Sequence, residues 1–106
     1  MIISTLEQVA GYQVIESLGI VTGNTIRARH LGKEIIAGLR TVVGGETKEY
    51  TGMLSESREQ SFQRMIEKVE ELNADAIVGV RFQTSMIMST TAELLIYGTA
   101  VKLQKI

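Results

Sequence analysis

Residues 94–103, Leu-Leu-Ile-Tyr-Gly-Thr-Ala-Val-Lys-Leu, are apolar on both faces if the segment is extended. Side chains alternate across a strand, so Leu94, Ile96 and Ala100 share one face and Leu95, Tyr97, Val101 and Leu103 the other. An antiparallel strand with one face in water alternates apolar with polar, so both faces of this one must be covered. Helices of the same chain can cover one side. A second copy of the chain is the economical cover for the other, and the chain reads as one subunit of a homo-oligomer.

The rest of the pattern supplies the layers. Tyr12, Val14, Leu18 and Ile20 recur at the period of two of a half-buried strand over residues 12–21, with Gly23 and Asn24 predicted to close it as a turn. Over residues 31–43 the spacing of Leu31, Ile35, Leu39 and Val42 or Val43 predicts a helix, stopped by Gly44 and Gly45. Gly38 inside it hints at close approach of another backbone. A second helix is expected over residues 47–72, with Tyr50, Leu54, Phe62, Met65, Ile66, Val69 and Leu72 as its apolar stripe. Unbroken, it would be a rod of roughly 39 Å, so it either breaks near Gly52 or leans on another subunit. Asn73 suits the left-handed cap that ends a helix. Residues 77–85, with Val78, Val80 and Phe82 on one face, then form an antiparallel hairpin with residues 94–103 through a connection around residues 88–91.

Composition narrows the function. The 106 residues are 44% hydrophobic and 22% charged, without internal repeat or linker, which fits one globular domain over residues 1–106. Eleven Lys and Arg against 12 Asp and Glu leave a net charge of -1, which removes the broad attraction to phosphate behind most nucleic-acid binding. The chain has no Cys, which excludes a disulfide framework, thiolate zinc, iron–sulfur clusters and a cysteine nucleophile. The N-terminal segment lacks a basic region followed by a long apolar one, and no stretch approaches about 18 consecutive apolar residues. A complete cytoplasmic protein, away from membranes, is the expectation.

Several residues together carry a family likeness: Val43-Gly44-Gly45-Glu46, Tyr50, Arg58, the run Ala74-Asp75-Ala76-Ile77-Val78-Gly79-Val80-Arg81-Phe82, then Ala92-Glu93 and Tyr97-Gly98-Thr99-Ala100-Val101. In this order and spacing they resemble the small YbjQ-like proteins of bacteria. The family usually has glycine where this chain has Asn73. The resemblance implies an α+β fold: a two-layer α/β subunit with a small antiparallel sheet and two helices, similar to the dodecin subunit, assembled as a ring homo-oligomer of five copies. It also brings a heavy-metal-binding label, without established ligand or catalytic residues.

A heavy or transition metal recruits thiolate, thioether or imidazole groups, and this chain has no Cys, five Met and one His. The best local pair is His30 with Glu34, four apart on one helix face, so the cofactor is unknown with a metal ion as the candidate. In a ring, His30 or Glu93 could repeat around an axis. Met86 and Met88 could offer thioethers from one strand face, although packing is their commoner use. The basic cluster Arg27, Arg29, His30 and Lys33 has no interleaved aromatics, so a solvated surface or a subunit salt bridge outweighs nucleic-acid binding. Gly44-Gly45-Glu46-Thr47 lacks the lysine of a phosphate loop and reads as a helix-to-helix turn. Glu93 beside Leu94 reads as an ion pair with Arg81 across the hairpin before it reads as a general acid. No nucleophile elbow or dinucleotide fingerprint occurs. The expectation is a non-catalytic homo-oligomer, with metal capture as the alternative and a small ligand open.

Overall fold

A computed structural model describes residues 1–28, 48–88 and 91–106. Its elements are β1 (Ile2–Ile3), β2 (Tyr12–Ala28), α1 (Lys48–Glu71), β3 (Ala76–Met88) and β4 (Thr91–Lys105). The four strands form one sheet in the order β1-β3-β4-β2. Both β2 and β3 run antiparallel to β4, while the two-residue β1 pairs parallel with β3. The sheet is therefore mixed, not purely antiparallel; β1 is too short to leave a periodic signature. The expected helix over residues 31–43 lies outside the described residues.

The two-faced strand is found as read. In β4, Leu94, Ile96 and Ala100 are buried beneath α1, and Val101 is buried on the opposite face. The helix-side core joins Val21, Met65, Val69, Ile77, Val80, Ile96 and Ala100. A smaller cluster on the other face joins Ala76, Val78 and Val101, covered by Ile2, Val9 and Leu103.

Three expectations are corrected. The segment Gly23-Asn24 is not a turn: β2 runs through it for 17 residues to Ala28. Gly23 is there because α1 crosses it closely, and a Cβ would meet the Ser61 carbonyl oxygen and lie 2.6 Å from the Met65 nitrogen. Register shifts between Val14 and Glu16 and between Ser17 and Gly19 break the period of two, so Leu18 packs on the helix-side core while Ile20 is 80% exposed. In β3 a further shift between Val78 and Arg81, with Gly79 at φ 62°, sends Val78 to the helix-free face and Val80 to the helix face. Val78, Val80 and Phe82 therefore do not share one face.

The helix α1 spans 24 residues without a break at Gly52. Its buried stripe is Ser57, Ser61, Met65 and Val69, each four residues from the last, with Phe62 and Ile66 half-buried and Leu54 and Leu72 exposed. The side chain of Tyr50 lies outside the described part. Asn73, at φ 56°, ends the helix in the left-handed conformation expected of it.

Beyond the bulge the sheet continues as an arm. Residues 81–88 of β3 are all exposed, and among the described residues no strand pairs with the outer edge of this stretch. The molecule measures 55 × 24 × 17 Å, with a radius of gyration of 17.5 Å against about 13 Å for a compact chain of this length.

Candidate functional site

The densest polar constellation among the described residues is the seam where the first half of α1 lies on β2 and β4. Thr25 and Ser61 face each other across it, their hydroxyl oxygens 2.9 Å apart. The Thr25 hydroxyl also reaches the Ser57 carbonyl at 3.1 Å, and the Ser61 hydroxyl the Leu94 carbonyl at 2.9 Å. Two hydroxyl protons thus serve three contacts, and each oxygen can donate only one at a time. Next along the helix, Ser57 donates to the Met53 carbonyl at 2.8 Å and accepts from Arg27 Nε at 3.1 Å.

Arg27 closes the seam toward solvent. Its Nη2 donates to Glu56 and to Gln60, both at 3.0 Å. The strand places this guanidinium because Arg27 follows Val21, Gly23 and Thr25 on the helix-facing side of β2. At the helix's other flank Arg64 donates to the Asn24 carbonyl at 2.6 Å. Every buried side-chain nitrogen and oxygen among the described residues has a hydrogen-bond partner. Chemically this seam is saturated: its hydroxyls meet carbonyls, each other and a guanidinium, none of which can take a proton from them at neutral pH. It docks a helix, and nothing in it activates a nucleophile.

The sequence-derived candidates fall as follows. His30 and Glu34 lie outside the described residues, as do Arg29, Lys33 and the Gly44-Gly45-Glu46-Thr47 segment. Arg27 spends its charge on Glu56 of its own chain, which accounts for one member of the basic cluster. The ion pair expected between Glu93 and Arg81 is not formed. Glu93 pairs in register with Ser85 and accepts from Asn24 Nδ2 at 3.0 Å, whereas Arg81 stands opposite Tyr97 and donates to the Thr5 carbonyl at 2.6 Å. The regular register from Arg81↔Tyr97 to Ser85↔Glu93 separates the two along the hairpin.

Met86 and Met88 pair with the adjacent β4 residues Ala92 and Thr91, with a register shift between them. The shift breaks the alternation that would have stacked both thioethers on one face. Among the described residues no three His, Cys, Asp or Glu side chains group closely enough to hold a metal ion. With no thiolate in the chain, the donors on view do not fit a soft heavy-metal centre. The seam itself escaped the sequence reading because Ser57 and Ser61 do not register as apolar stripe residues, though their spacing from Met65 and Val69 was available.

The mixed sheet crossed by α1 defines a small α+β fold, and a solved structure shares it. The crystal structure of a protein of unknown function from Pediococcus pentosaceus, assigned to the DUF74 family, superposes with a TM-score of 0.68 at 19% identity, covering 98% of each chain. That likeness concerns the fold. The sequence goes further: residues 1–104 match the model of the YbjQ family, described as "Putative heavy-metal-binding", and the chain belongs to this family. Relatives named only as UPF0145 proteins include one from Pseudothermotoga lettingae, 54% identical over the whole of both chains. Another, from Methanosarcina acetivorans, is 54% identical over 97% of each. A third, from Thermus thermophilus, is 53% identical over 98% of this chain and 91% of its own.

Proposed function

We propose that this protein works as a non-catalytic homo-oligomer, five copies in a ring as the family resemblance implies, with the outer strands of the sheet forming the joints. The observation that carries this reading is the β3 arm. Phe82, Met86 and Ile87 are about half exposed on a strand whose edge lacks a described neighbour, and Ile20 and Ile26 are exposed on the opposite edge strand β2. A long, exposed edge with apolar side chains invites pairing with another chain. An edge-to-edge contact between unlike strands is head-to-tail, and such a contact closes into a ring when its rotation permits. The extended shape supports the same reading, since assembly would return the exposed arm to an interior.

Native mass spectrometry of protein purified without chelator tests it, because subunit count and retained mass are read together. A pentamer is expected. A monomer at micromolar concentration would overturn the proposal. Leu95→Asp, on the helix-free face of the arm, should break the assembly or the fold, since it buries an unpaired charge.

Metal capture by symmetry-repeated side chains, with His30 and Glu34 as the candidate donors, rests on the family description. Elemental analysis and calorimetry with divalent and soft ions decide it; no retained metal and no binding tighter than about millimolar would exclude it.

A further inference from the structure

At the end of the sheet away from the arm, on the face without the helix, a groove of about 760 Å³ lies between the sheet and the segment joining β1 to β2. Val14, Ile106 and the Tyr12 ring, all exposed, give it apolar surface above the nearly buried Val78 and Val101. Tyr12, Ser17 and Thr99 add hydroxyls. Among the described residues Glu7 is the one acidic or basic side chain that lines it, and it has no ion-pair partner there. A volume of this size, with apolar and polar groups in comparable share around it, has room for a small molecule.

The walls are held in place. Ser4 donates to the Ile77 carbonyl at 2.9 Å, Val80 to Ser4 at 3.0 Å and Gly79 to Leu6 at 2.9 Å, which fastens the N-terminal segment along β3. Tyr12 donates to the Val9 carbonyl at 3.1 Å and Ile106 to Gly11 at 3.0 Å, which fastens the other end. A site fixed before its ligand arrives loses less to ordering.

We propose that this groove binds a small organic cation, its apolar ring or chain on Tyr12, Val14 and Ile106 and its ammonium against Glu7. The exposed Tyr12, Val14 and Ile106 offer apolar area, the Glu7 carboxylate selects positive charge, and among the described residues no basic side chain lines the groove to attract an anion. The site lies at the far end of the sheet from the arm, away from the strand edges proposed to join copies.

The test is an amide chemical-shift titration of the full chain with phenethylamine and, in parallel, with 3-phenylpropionate, which carries the opposite charge on a similar skeleton. Phenethylamine should give saturable shifts at Val78, Gly79 and Thr99 with Kd on the order of millimolar. The acid should bind at least about threefold more weakly, and Glu7→Gln should bring the amine to the level of the acid. Ser17→Trp, which fills the groove, should abolish both sets of shifts. Shifts mapping elsewhere, no saturation by about 20 mM, equal affinity for amine and acid, or indifference to Glu7→Gln would each overturn the proposal.

Discussion

The backbone of Gly23 in β2 lies against the Ser61 turn of α1 so closely that a single methyl group at Gly23 would collide with the Ser61 carbonyl oxygen. Helix and strand meet there main chain to main chain. The same meeting point lets Thr25, two residues on, reach both Ser57 and Ser61.

Gly23→Ala should therefore be costly. Forcing a methyl into backbone costs at least the 1–3 kcal/mol or so of ordinary overpacking. Gly52→Ala is the matched control: its Cβ would meet nothing within 4 Å, and it removes a mid-helix glycine, so it should gain about 0.5–1 kcal/mol. Urea unfolding of the two variants at one protein concentration should move the midpoint in opposite directions.

The hydroxyl pair should behave as a unit. Ser61→Ala deprives the Leu94 carbonyl of its donor and should cost about 1–3 kcal/mol, as should Thr25→Val for the Ser57 carbonyl. Because the two hydroxyls share protons, the double variant should differ from the sum of the singles by about 1 kcal/mol. A strictly additive cycle would show that the two bond independently.

Asn73 holds its left-handed backbone at some strain, being neither glycine nor free of a Cβ. Asn73→Gly should raise Tm slightly, and Asn73→Ala should lower it by roughly 1 kcal/mol, about 4–8 °C. Thermal scans need equal protein concentration, since the Tm of a chain that assembles as proposed depends on it.

Ile87 is 53% exposed in the subunit, so Ile87→Asp should alter subunit stability by less than about 0.5 kcal/mol. If the arm joins copies, the same change should lower the solution mass measured by light scattering while the circular dichroism spectrum stays that of the parent. Unchanged mass would place the joint elsewhere.

The fold was legible where a strand keeps its period and a helix keeps its stripe: β4 with both faces apolar, the β3–β4 hairpin, the reach of α1 and its cap at Asn73. It was illegible where local chemistry carries two meanings. Gly23-Asn24 resembles a turn, but the glycine serves a helix lying across the strand, a tertiary demand that no local window contains. The bulges at Ser17–Gly19 and Val78–Arg81 each insert one residue, and one residue is enough to send Leu18 or Val78 to the other face. For the candidate site, Arg27 was visible as a cation but its partner Glu56 is 29 residues away, and the groove at Glu7 is assembled from four separate stretches of chain.

The division of α1's buried stripe into two serines followed by Met65 and Val69 has a consequence for how tightly the helix is indexed on its sheet. Apolar contacts resist separation but scarcely resist sliding, since a neighbouring turn of the helix offers much the same greasy surface. The hydroxyls are directional, and a slip of one turn, about 5.4 Å, that brought Met65 to the place of Ser61 would strand Thr25 and the Leu94 carbonyl together. The serine end thus acts as a detent and the methionine end as an adhesive. Sequence drift should be tolerated at Met65 and Val69 wherever volume is kept, and resisted at Ser57 and Ser61.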